Sequence, residues 1–167
     1  NCVTAPDQCA TNADQIAWFV VNDLDAGATA ALYGAKPIGL EVQYTLWAYA
    51  RTDAMGDIVF KKYDLLYKGH AATPDTAHID SMYIAVWIDP DIGDFGNDFA
   101  GSDLDLSLGY AYNATADDNR YRAFDLPPPA VGYDLLQGPV VPSETSEATF
   151  NFQPRPGFAN LPMTSFV

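Results

Sequence analysis

The chain has 167 residues and sets 8 Lys and Arg against 22 acids, 19 of them Asp, for a formal charge of −14. So few bases exclude nucleic-acid binding through phosphate contacts and attraction to an anionic membrane surface, and they leave cations as the natural small partners. An apolar share of 49% with 13% aromatics excludes a disordered acidic tail.

In chain order, Cys2 and Cys9 come first. They enclose a short polar loop and predict a local disulfide if the protein is exported, or two free thiols in a reducing compartment. Two Cys and the distant His70 and His78 do not make a zinc spacing. A first strand is expected at 16–22. A turn or two of helix is expected at 28–33, stopped by Gly34. At 40–48, Leu40, Val42, Tyr44, Leu46 and Ala48 alternate with polar or aromatic neighbours. A strand at 58–67 carries Lys61-Lys62, which breaks the alternation and predicts a bulge. Residues 82–88 alternate again, as do 104–112, and shorter candidates follow at 131–136 and 149–153. Eight of the twelve prolines lie after residue 126, so the last quarter should be extended, loop-rich and edge-like.

Short strands punctuated by Gly, Pro, Asn and Asp predict an all-β fold. The expected form is an antiparallel β-sandwich, immunoglobulin/fibronectin-like or jelly-roll-like, with a long acidic loop and little helix. The length fits a single domain, 1–167. The longest apolar run, 82–88, is far below the roughly 20 residues of a membrane-spanning helix. The chain opens without a signal-peptide pattern and closes on an apolar run at 161–167. This suggests a fragment of a larger exported protein; a mature N-terminus left by signal removal is also compatible.

The acids are unevenly placed. Between Gly69 and Asn119 there are ten Asp and no Lys or Arg. The densest part, 89–103, is spaced by Gly93, Gly96 and Gly101. Crowded carboxylates repel one another unless something neutralises them, and Ca²⁺ accepts six to eight oxygens in flexible geometry. Asp89, Asp91 and Asp94 are expected to converge on one ion, with Asn97 and Asp98 closing the ring and Asp103 or Asp105 as a late ligand. The run is not an EF-hand, because its sixth position is Asp94 and its twelfth is Ala100. The competing reading is a solvated Asp/Gly turn. Asp117-Asp118-Asn119 reads as a hairpin turn, and the sequon pattern at Asn113 as chance.

Catalysis has little support. His70 and His78 lie in one polar connection without a nucleophile motif, and Glu41 reads as an outward strand residue. With 22 acids, some pair will sit at glycosidase spacing by chance. A hydrolase using the acidic loop to hold a metal stays open as a third reading. Trp47, Tyr49, Tyr83 and Trp87 fall on the outward sets of their strands and form an alternative, a carbohydrate-stacking platform.

Three stretches occur together: Pro37-Ile-Gly-Leu-Glu-Val-Gln43, the run from Asp80 through Trp87 to Asp94, and Leu108-Gly-Tyr-Ala-Tyr-Asn113. With Pro129-Ala-Val-Gly-Tyr-Asp134 and Gln137-Gly-Pro139, the chain from about 18 to 166 resembles a module of large secreted bacterial surface proteins, often ones carrying type IX sorting tags. In that group a Cys commonly precedes the next strand, where this chain has Ser102. The resemblance implies export and an extracellular or cell-surface location, not an activity. The sequence thus leads to a non-catalytic, calcium-stabilised structural or adhesive module of a surface assembly. Its expected partners are Ca²⁺ and neighbouring domains or subunits, with no nucleic acid and no membrane insertion.

Overall fold

The computed structural model describes residues 13–166. Cys2 and Cys9, and the disulfide expected between them, lie outside the described residues. Two compact units meet between Tyr83 and Ile84. Both are built on antiparallel sheets, so the chain is all-β with little helix.

In the first unit β1 (Gln15–Asn22), β2 (Leu40–Ala48) and β3 (Val59–Tyr67) form one sheet in that order. Directly paired residues share a face, so the register gives each face its own aromatic row. On one face Phe19, Tyr44 and Tyr63 are cross-strand partners. Phe19 stacks on Tyr44 at 4.8 Å, and Tyr63 meets Tyr44 edge-on at 4.9 Å. On the other face Ile16, Trp47 and Phe60 align. There Trp47 is buried and stacks on Phe60 at 5.3 Å.

The bulge expected at Lys61-Lys62 is absent, and the pairs Leu46–Lys61 and Thr45–Lys62 continue the register unbroken. The two lysines point to opposite faces, and the inward one is neutralised by Asp64 at 2.7 Å. Helix α1 (Ala26–Tyr33) starts at its N-cap Asp25 and ends at Gly34, whose φ of 64° is the left-handed stop.

In the second unit β4 (Asp98–Asp103), β5 (Leu108–Asn113) and β6 (Ala130–Asp134) form a second sheet, and β7 (Val140–Phe150) pairs with β8 (Gln153–Asn160). The sequence placed β4 inside the acidic loop and began the next strand four residues early. Residues 104–107 are instead the β4–β5 turn, held by the Asp103 carboxylate on the Leu106 N–H at 3.1 Å and by Ser107 at φ 54°. The strand expected at 149–153 is interrupted by a two-residue turn: Thr149 and Phe150 end β7, Asn151 and Phe152 turn at positive φ, and Gln153 begins β8. The proline-rich quarter forms β7 and β8, with a register shift between Pro142 and Glu147. Gly109 lets the Phe166 ring lie against the sheet, since a Cβ there would meet the ring at 2.2 Å.

The strand expected at 82–88 does not form a ladder with any described residue. Met82, Ile84 and Val86 are exposed, and Tyr83 and Trp87 are 91% and 85% exposed.

Candidate functional site

The acidic loop leaves the exposed segment at Asp89 and is anchored by Ile92, which is buried. A short 3-10 turn, Phe95–Asn97, then leads into β4, with Asp94 as its N-cap accepting from the Gly96 N–H at 3.3 Å. The organising group of this region is Asp118, 2% exposed, at the start of helix α2 (Asn119–Arg122). One carboxylate oxygen accepts from the N–H groups of Arg120 at 2.8 Å and Tyr121 at 3.2 Å. The other accepts from the Asp94 N–H at 2.9 Å and from the Asn113 side-chain amide at 3.3 Å. The Asp94 N–H, followed by those of Arg120 and Tyr121 and the Asn113 amide, holds the Asp118 carboxyl below the usual carboxylate range; burial opposes this shift. Gly93, at φ 114°, makes room for it, because a Cβ there would lie 2.6 Å from the Asp118 carboxyl.

Asn113 and Asn97 exchange side-chain amide bonds at 3.2 and 3.1 Å. The Asn113 carbonyl oxygen also accepts from the Thr115 N–H at 3.1 Å. The sequon is thereby part of a turn that ties β5 to the acidic loop. Asp98, the first residue of β4, has one carboxylate oxygen at 3.4 Å from the Ile92 N–H. Its other oxygen is buried and has no hydrogen-bond partner.

The expected ligands are thus only partly brought together. Among the described residues no three Asp, Glu, His or Cys side chains gather as a metal-holding group. Asp94, Asn97 and Asp98 lie in the short turn and at the start of β4, while Asp89 and Asp91 are exposed on the approach. Asp103 is separated from them: it ends β4, five residues beyond Asp98 and about 16 Å away at 3.3 Å per strand residue. It serves the β4–β5 turn instead. The sequence reading of Asp117-Asp118-Asn119 as a hairpin turn gives way to the start of helix α2 with Asp118 as its N-cap, and an Asp immediately before a short helix is the signature that marks it. A depression of about 320 Å³ beside the loop is lined by Asp91, Gly93, Arg120, Tyr121 and Phe124.

The four aromatics do not form one platform. Trp47 is buried and stacks on Phe60, and Tyr49 packs edge-on to the same ring at 6.1 Å. Only Tyr83 and Trp87 are open. Glu41 is ion-paired with Lys68 at 2.5 Å and bonded by Gln43, which together hold its carboxyl low and ionised. His78 lies 3.1 Å from Asp80 on the exposed connection after β3, and His70 accepts from the Ala72 N–H at 3.4 Å in the same connection.

No family model, curated protein or solved structure matches the chain.

Proposed function

We propose that this chain is a non-catalytic structural or adhesive module of an exported, extracellular protein, working through apolar surface that a neighbour covers. The observation that carries the reading is the open face of the first sheet. Phe19, Val21, Tyr63, Leu65 and Tyr67 share that face and are each 36–45% exposed. Contiguous apolar surface of this kind marks interaction sites. Leu32 and Tyr33 of helix α1 and the sheet's Phe19, Val21 and Tyr44 line a depression of about 710 Å³ on this face. The test is a hydrophobic-dye titration of the folded chain. Dye fluorescence should fall in Leu65→Ser and Phe19→Ser with the far-UV spectrum unchanged. A wild type that binds no dye would remove the reading.

Calcium belongs to this proposal as a stabiliser of the acidic loop. What supports it is the orphaned buried oxygen of Asp98, set in a region whose donors are hard carboxylate oxygens suited to Ca²⁺. Asp98 would hold the ion, with Asp89 and Asp91 drawn in from the exposed approach. A site of extracellular type, filled at millimolar calcium, would add roughly 0.4–1.4 kcal/mol. The melting temperature should rise with CaCl₂, fall back with EDTA, and become indifferent to both in Asp98→Asn. Identical curves would take calcium out of the proposal. The exposure of Tyr83 and Trp87 supports the carbohydrate alternative on those two rings alone, checked by polysaccharide pull-down with Trp87→Ala.

A further inference from the structure

We infer that residues 81–88 are a donor strand that adds to the free edge of β3 in a second copy of this chain. The segment has the chemistry of a sheet strand: Ser81-Met-Tyr-Ile-Ala-Val-Trp-Ile88 holds seven apolar residues in eight, no charge and no proline. Its backbone joins no ladder among the described residues, and the side chains from Met82 to Trp87 are exposed. An apolar, unpaired strand in water is completed by a sheet edge, where main-chain bonds give affinity and alternate side chains give specificity.

Charge selects the edge. The donor is bracketed by Asp80 and Asp89. Strand β1 lies between Asp14 and Asp23, β4 begins and ends on Asp98 and Asp103, and β6 follows three prolines and ends on Asp134. These edges repel the donor or obstruct it. β7 carries Glu144 and Glu147 beside Pro142, and β8 carries Pro154 and Pro156; the prolines have no N–H to give. β3 differs. It is an edge strand of nine residues with Lys61 and Lys62, followed by Lys68. Lys62 and Lys68 are engaged by Asp64 and Glu41, whereas Lys61 is exposed and makes no ion pair among the described residues. Laid antiparallel with Asp80 beside Lys68, the donor brings Asp89 diagonally to Lys61 on the same face. Lysines on β3 disfavour pairing with another β3 and favour an acid-flanked strand, so the same edge rejects one partner and accepts the other.

This inference rests on the reading of the chain as an assembly module. Its test is the molar mass of the full chain by light scattering on a size-exclusion column. Wild type should self-associate at micromolar concentration. Val86→Pro, which removes a ladder N–H from a segment that makes no ladder in the fold, should be monomeric with an unchanged far-UV spectrum. Lys61→Glu should weaken association by up to about fivefold, and adding Asp89→Lys should restore it. With Cys2 and Cys9 replaced by Ser, cysteines introduced at Leu65 and Tyr83, which this register places opposite one another, should give disulfide-linked dimers. A monomeric wild type overturns the inference. So does self-association that Val86→Pro leaves intact, or a cross-link closed within one chain, which would give the edge to the segment of its own molecule. Dye binding by the sheet face and the calcium response are read separately, so either reading can fail without the other.

Discussion

Asp23 and Asp118 do the same task in the two units with different surroundings. Asp23 is half-buried and gathers the N–H groups of Ile38, Gly39 and Leu40, the nearest at 2.6 Å, fixing the entry to β2. Asp118 is 2% exposed and gathers three N–H groups and one side-chain amide from three parts of the second unit. In each unit a glycine admits the close approach: Gly39 passes against Gly69, and Gly93 against Asp118. The difference in burial lies in the acceptor itself, and leaving the partners of a buried group unpaired costs more than leaving those of a half-exposed one. Asp14, Asp25, Asp53 and Asp103 also accept backbone N–H bonds. Much of the acidity is therefore the chain's own capping chemistry.

The largest expected effect separates the two units. Asp118→Ala should give the deepest fall in melting temperature of any variant here, with loss of hydrogen-exchange protection at Asp94, Arg120 and Tyr121. If Asp23→Ala falls as far, burial is not what distinguishes the pair; its expected cost is smaller, about 2 kcal/mol. The glycines come next. Gly39→Ala places a Cβ 2.3 Å from the Gly69 backbone at φ 83°, and backbone cannot swing aside. It should cost about 3 kcal/mol by chemical denaturation. Gly93→Ala, at φ 114°, brings a Cβ to 2.6 Å from the Asp118 carboxyl that four hydrogen bonds hold in place, and should cost about as much, about 3 kcal/mol.

Much of the first sheet was legible in the sequence. The alternation at 40–48 coincides with β2, and Gly34 stops α1 as its left-handed preference requires. Misses arise where a local pattern lacks its context. Residues 82–88 have the strand pattern, but pattern alone does not supply a neighbouring edge. Leu104 and Leu106 extend the alternation of β5 backward, yet Asp103 and a left-handed Ser107 turn the chain there without any glycine to announce it. At the candidate site the density of Asp was visible, but the division of labour was not. Which acids serve backbone donors depends on contacts such as Asp94 with Asp118, 24 residues apart. Among the described acids only Asp98 keeps a buried oxygen with no partner, and nothing in its own neighbourhood of sequence marks it.

The finest comparison is between neighbours, Asp117 and Asp118. Both carboxyls are held below the usual range, Asp117 chiefly by its ion pair with Arg122 and Asp118 chiefly by the Asp94 N–H. For a depressed carboxyl the unfolded chain takes up protons first. Its stabilisation is therefore complete above the unfolded value near 4 and is lost as pH falls through the lower folded value. Melting temperature should accordingly be flat above about pH 5 and drop in more acidic solution. Asp118→Asn should flatten that acid limb, because the buried acceptor no longer titrates. Asp117→Asn should leave it almost unchanged. Its ion pair with Arg122 sits in solvent, with both side chains about 60% exposed, so screening and side-chain entropy cancel most of the attraction. Equal flattening by the two variants would show that the acid limb follows total charge rather than the capped loop.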